Sequence, residues 1–173
     1  LMFGMVGLAR AADSFTVRAD WFDRGNVVSG LPGESYATRW PAIWNGGKLP
    51  NRAEYDLDFP VAGTYTIWAL YTAKDSRPVD ILVDGQVVHR GLAGVTGSWS
   101  SDKAVWEKQV EVELTAGRHT VVLVCPGPCI CHISGLRFET AAVFPVDWRL
   151  DRAIGRAKSQ DLPPPPLAPH RIP

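Results

Sequence analysis

The 173-residue sequence has no excess charge of either sign, with 18 Lys and Arg against 18 Asp and Glu. No basic block or stripe gathers on any segment, so the surface that nucleic acid requires is missing. No run of about 20 apolar residues occurs, which excludes a transmembrane helix. A glycine-rich phosphate loop is absent as well. Helical periodicity is missing from residues 14–140, which argues against a parallel α/β sheet with crossover helices. Sulfur is scarce, and three cysteines leave an odd thiol whatever the pairing.

What the chain does have is aromatic side chains: seven Trp and four Tyr. Such rings either fill a core or stay exposed because something stacks on them. A length of 173 residues at 46% hydrophobic content suits one domain with tails.

From Ser14 to Thr140 the dominant period is two. Tyr55, Leu57 and Phe59 alternate with Glu54, Asp56 and Asp58. After Ala62-Gly63, Tyr65, Ile67, Ala69 and Tyr71 share one face. Asp84-Gly85 between two apolar runs is the strongest hairpin signal, because both residues suit the positive φ of a type I′ turn. Val110, Val112 and Leu114 alternate with Glu111 and Glu113; Ala116-Gly117 turns the chain, 119–124 returns, and 130–138 closes the set. Seven to nine short strands without intervening helices predict an all-β, antiparallel β-sandwich.

The ends read differently. Residues 1–8 are apolar, and small residues around Ala11 form a cleavage pattern, so 1–11 reads as a signal-peptide remnant, with a frayed apolar terminus as the alternative. Export places the protein outside the cell, in a periplasm or on a cell surface. Val146, Leu150 and Ile154 suggest a short amphipathic helix over 146–158. Pro163 to Pro166, with Pro169 and Pro173, then have linker composition. Further domains of a parent protein would follow there.

Several segments together resemble the family 6 and family 35 carbohydrate-binding modules, jelly-roll sandwiches of the galactose-binding-like group. The resemblance covers roughly residues 15–138. It rests on Asn51-Arg52-Ala53-Glu54-Tyr55-Asp56-Leu57-Asp58-Phe59-Pro60, Ala62-Gly63-Thr64-Tyr65-Thr66 and Val83-Asp84-Gly85. Thr96-Gly97-Ser98-Trp99, Leu114-Thr115-Ala116-Gly117-Arg118-His119-Thr120 and Ile133-Ser134-Gly135-Leu136-Arg137-Phe138 follow in the family's order. In such modules a sugar ring lies between two aromatics in loops at one end of the sandwich. The resemblance puts Trp44 and Trp99 there. An aromatic face suits a sugar because its negative π cloud meets partly positive C–H bonds. Asn45, Ser98, Ser100 and Asp102 are short polar neighbours able to bond hydroxyls, and His132 stands near the place of a family asparagine. Against this, Trp44 or Trp99 can simply plug a loop, and His132 can simply be packed. Trp106 and Trp68 fall on strands, Trp148 in the tail, and Trp40 is left undecided.

The resemblance also implies a structural calcium, held by two carboxylates of the first strand and an aspartate of the last. Here those places read Arg18-Ala19-Asp20 and Ser134, so Asp20 alone survives as a metal candidate. Calcium is therefore disfavoured. Arg18 can supply the positive charge instead. Cys125, Cys129 and Cys131 crowd around Pro126-Gly127-Pro128, and export favours one disulfide, Cys125 with Cys131 across a hairpin. Cys129-Ile130-Cys131-His132 has neither haem nor zinc spacing.

No catalytic set emerges. Gly33-Glu34-Ser35-Tyr36-Ala37 imitates a nucleophile elbow but lacks the strand-to-helix context. The expected function is a non-catalytic module that binds a polysaccharide or glycan. A structural or adhesive sandwich with a degenerate sugar site is the alternative, and a small hydrolase a third reading.

Overall fold

The computed structural model describes residues 12–154. The expected signal remnant at 1–11, the end of the predicted helix and the proline-rich tail lie outside the described residues. In chain order the strands are β1 (Asp13–Arg18), β2 (Arg24–Gly25), β3 (Val28–Gly30), β4 (Ala42–Trp44), β5 (Asn51–Phe59), β6 (Gly63–Thr72), β7 (Val79–Val83), β8 (Gln86–Gly91), β9 (Val105–Leu114), β10 (Gly117–Cys125) and β11 (His132–Thr140). The short helix α1 (Leu150–Ile154) follows.

Two antiparallel sheets pack face to face. One runs β3-β4-β11-β6-β9 with β1 also on β11, and the other runs β2-β5-β10-β7-β8. The edge of β11 that faces away from β6 is shared: β4 meets Ile133, and β1 pairs from Gly135 to Thr140. The period-two pattern becomes the core directly. Tyr55, Leu57 and Phe59 of β5 are buried against Ile67, Ala69 and Tyr71 of β6, Val121 and Leu123 of β10, and Leu136 and Phe138 of β11. Phe15, Phe59 and Phe138 pack with centroids 5.1 to 5.4 Å apart, in stacked and edge arrangements suited to their quadrupoles. Asp84 (φ +49°) and Gly85 (φ +81°) make the predicted hairpin turn, with Val83 opposite Gln86.

Ala62-Gly63 and Ala116-Gly117 turn the chain as expected, but each passes it from one sheet to the other, β5 to β6 and β9 to β10. The same is true of β10 and β11, which belong to different sheets, so the hairpin expected to carry a Cys125–Cys131 disulfide does not form. Cys125, Cys129 and Cys131 are free thiols. Cys125 and Cys131 are buried in the core, and burial pushes both thiols up from their ordinary pKa.

The predicted C-terminal helix is present, and Ala153 and Ile154 are buried on the sandwich. Val146, expected on its apolar face, is 98% exposed. Trp148 does that work instead, with its ring 5.5 Å from Phe15 and 4.9 Å from Phe144.

The acidic face of β5 is a charge ladder. Arg24 donates to Glu54 at 2.9 Å and to both oxygens of Asp56 at 2.7 and 3.0 Å, and Arg52 also donates to Glu54. The Arg24 guanidinium, with Thr120 and Arg118, holds the Asp56 carboxyl well below the usual carboxylate range. A folded-state pKa below the unfolded one stabilises above the unfolded value of about 3.9 and is lost as pH falls through the folded one. The midpoint of urea unfolding should therefore fall as pH is lowered below about 4, and Asp56→Asn should flatten that slope; an unchanged slope would remove Asp56 from the account.

Candidate functional site

Five loops converge at one end of the sandwich. They are 31–41 between β3 and β4, 45–50 between β4 and β5, 73–78 between β6 and β7, 92–104 between β8 and β9, and 126–131 between β10 and β11. Ser101 ties two of them together. Its buried hydroxyl accepts from the Arg39 and Trp40 amides at 2.9 and 2.8 Å, and its own amide donates to the Tyr36 carbonyl at 2.8 Å. Thr72, at the end of β6, donates to the Ser98 carbonyl at 2.7 Å. Satisfying these buried backbone groups fixes the loops without regular structure.

The loops enclose a cavity of about 380 Å³ lined by Tyr36, Trp44, Asn45, Arg77, Trp99, Cys129 and His132. That volume lies at the small end of the roughly 300–1,000 Å³ of ligand sites. His132, the first residue of β11, is its centre. The imidazole lies 4.5 Å from the Tyr36 ring, 4.9 Å from Trp99 and 6.0 Å from Trp44. Its Nδ1–H donates to the Trp99 carbonyl at 2.7 Å. Burial holds the pKa below 6.5, so the ring is neutral at pH 7 and Nε2 is an acceptor.

Trp99 is not a bare stacking plate. The Arg77 guanidinium carbon lies 4.0 Å from the centroid of its ring, and His132 approaches it at 4.9 Å. Asn45 lines the cavity beside Trp44; its Oδ1 accepts from Gly47 N–H and Asn51 Nδ2, both at 2.9 Å.

Ser98 and Asp102 lie outside the lining. The Ser98 hydroxyl accepts from the Ser100 amide at 3.0 Å, and Asp102 accepts from the Thr38 hydroxyl at 3.1 Å while its own amide donates back at 3.2 Å. The structure thus brings Trp44, Asn45, Trp99 and His132 together and keeps Ser98 and Asp102 for the loops. Sequence reasoning missed Tyr36, Arg77 and Cys129. Tyr36 sat in the segment dismissed as a false elbow, which here closes on itself through Ala37 N–H to Glu34 O at 2.8 Å. Arg77 carried no local signal, because its contact with Trp99 exists only in three dimensions.

No protein-family model matches the chain, and no curated protein does. Solved structures do. A family 35 carbohydrate-binding module from Clostridium thermocellum superposes with TM-score 0.58 at 18% identity, covering 73% of this chain and 98% of that one. The C-terminal family 6 module of a marine laminarinase from Zobellia galactanivorans gives 0.56 at 18% identity, covering 74% and 100%. A Podospora anserina β-(1,4)-mannanase with a family 35 module gives 0.61 at 14%, covering 79% of this chain and 29% of that one. This chain has their fold.

The calcium place of the carbohydrate-binding modules can be tested against the residues that stand there. Asp20, in the 3-10 turn Ala19–Trp21, receives Arg18 Nε at 2.9 Å on one oxygen and Arg18 Nη2 on the other. Arg18 is 1% exposed and stacks on Trp21, 5.1 Å from its centroid. Ser134, next to the Gly135 that pairs with Arg18, offers a neutral hydroxyl. A hard dication wants several, preferably charged, oxygens, and one carboxylate already taken by a guanidinium does not fit it. Among the described residues no group of three or more His, Cys, Asp or Glu side chains is placed to hold a metal.

Proposed function

We propose that this protein is a non-catalytic carbohydrate-binding domain of an exported protein, and that the sugar enters the cavity at the loop end without a metal ion. The observation that carries this is the meeting of Trp44, Tyr36, Trp99 and a neutral His132 around one opening of ligand size. Aromatic faces for C–H bonds, with one acceptor for hydroxyls, form the mixture that sugar binding needs. Hydrolysis finds no support in the cavity, because none of the described residues lining it is an Asp or Glu and glycosidic cleavage ordinarily takes two carboxyl groups.

Because Arg77 covers a face of Trp99, the ring left for stacking is Trp44, with Tyr36, 41% exposed, beside it. Trp44→Ala should weaken retention in polysaccharide affinity gels by about tenfold or more, the effect of deleting an aromatic anchor; Trp99→Ala should weaken it less. The competing reading, an adhesive or packing sandwich whose sugar site has decayed, draws on the same covering of Trp99. It wins if the wild-type chain is retained by no glycan, or if retention survives the loss of both Trp44 and Trp99.

A further inference from the structure

Gly30 is the last residue of β3, the edge strand beside β4, and its backbone does not require a glycine. It pairs with Ala42 across the ladder, and its φ is not in the left-handed region. Glycine at such a strand position is a cost, since it gives up side-chain packing and loses more freedom on folding than alanine would. The space above it supplies the reason. A Cβ at Gly30 would overlap Cη2 of Trp44 and stand 3.0 Å from Cζ3, so the outer edge of the indole occupies the place of the missing side chain.

The register explains how the ring gets there. Val28 stands opposite Trp44 and Gly30 opposite Ala42, so Gly30 is a diagonal neighbour of Trp44 on the same face, at a separation that an aromatic side chain can bridge. Gly30 is buried and lies outside the cavity lining, whereas Trp44 is partly buried and belongs to it. The indole therefore spans from the strand to the opening, where the Tyr36 ring meets it at 5.7 Å and 80°. The same gap admits the loop that carries Tyr36, because the absent Cβ would stand 3.5 Å from the Cβ of the fully buried Ala37.

We propose that Gly30 is a positioning residue of the cavity, whose missing side chain is the seat that fixes the Trp44 indole in the wall. This role rests on the carbohydrate-binding reading above and assigns the placement of its stacking ring to a residue behind the wall. A methyl group on Gly30 is accommodated at least cost by moving the outer end of the indole, because the alternative is to shift a paired strand. The ring then swings toward Tyr36 and His132 or out to solvent. In either place the cavity changes while the sandwich stays.

The test compares the wild-type chain with Gly30→Ala, Trp44→Phe and the double variant. Affinity electrophoresis in gels each holding galactomannan, xylan, laminarin or pectin reads binding, and the indole N–H signals of a proton–nitrogen correlation spectrum read the ring. Phenylalanine keeps an aromatic face but lacks the outer carbons that lie on Gly30. Gly30→Ala should weaken retardation by whichever polymer holds the wild type by about tenfold, a loss of the size expected when an aromatic anchor is removed. In the Trp44→Phe background the same substitution should change affinity by less than about twofold, because the group it displaces is gone. The Trp44 signal, assigned by its loss in Trp44→Phe, should move further in Gly30→Ala than any other tryptophan signal. An unmoved Trp44 signal overturns the proposal. Undiminished retardation of Gly30→Ala, or an equal loss in the Trp44→Phe background, overturns the positioning role and leaves carbohydrate binding standing. Retardation of the wild type by none of the polymers overturns both. If Gly30→Ala does not fold, the double variant decides: a folded double variant supports the seat, since removing the outer ring removes the overlap, and an unfolded one shows that the strand itself needs glycine and overturns the proposal.

Discussion

Replacing Arg18 with methionine should cost about 3–5 kcal/mol of unfolding free energy, the usual loss when one member of a buried ion pair is removed. Arg18 is 1% and Asp20 9% exposed, so the carboxylate left behind has little water to turn to. Methionine fills much of the same volume beside Trp21, which separates the charge effect from a packing effect. The double variant Arg18→Met/Asp20→Leu should recover most of the loss, because an apolar pair of similar size replaces a buried ion pair at little net cost. Urea unfolding of the three chains measures this directly. A loss below about 1 kcal/mol for Arg18→Met would show that the pair behaves like a surface salt bridge. Added calcium should leave the wild-type midpoint unmoved, because only a ligand that binds the folded state raises it.

The second large effect is expected at Asn51, a buried side chain that joins two walls of the cavity. Its Nδ2 donates to Asn45 Oδ1 at 2.9 Å and to the Lys48 carbonyl at 3.1 Å, and its Oδ1 accepts the Ile130 amide at 2.8 Å. Asn51→Ala leaves the buried Ile130 N–H without its acceptor, and together with the lost bonds this should cost about 3 kcal/mol. The consequence should reach function without Asn51 touching a ligand. The loop bearing Asn45 and the segment leading into His132 both lose their anchor, so retention in polysaccharide gels should fall at temperatures where the variant is still folded. Full retention with a stability loss under about 1 kcal/mol would show that the walls hold without it.

The fold was legible wherever its cause is local. Alternation in β5 and β6 predicts which side chains are buried, because side-chain direction in a strand depends only on parity. Asp84-Gly85 predicts its turn because the backbone angles belong to those two residues. Which sheet a strand joins is not local, and the expected Cys125–Cys131 bridge failed there: two successive strands with a short turn look the same whether they pair or cross between layers. The site divides along the same line. Trp44, Trp99 and His132 could be placed through a family pattern carried by their neighbours in sequence. Tyr36 and Arg77 come from other loops, the first tied to the Trp99 loop by Ser101 and the second by bonds from Thr96 N–H to the Ala73 carbonyl and from the Ser76 hydroxyl to the Ala93 carbonyl. The sign of the charge at the cavity was thus invisible in a chain whose total is zero.

The pairing of β1 with β11 sets which end of the sandwich the first described strand starts from. Asp13 lies opposite Thr140, at the far end of β11 from His132, and eight strand steps separate the two ends by about 25 Å. A bead, a surface or another polypeptide joined ahead of Asp13 therefore takes hold of the end opposite the cavity. The opening then lies at the end away from that attachment, without any rearrangement of the sandwich.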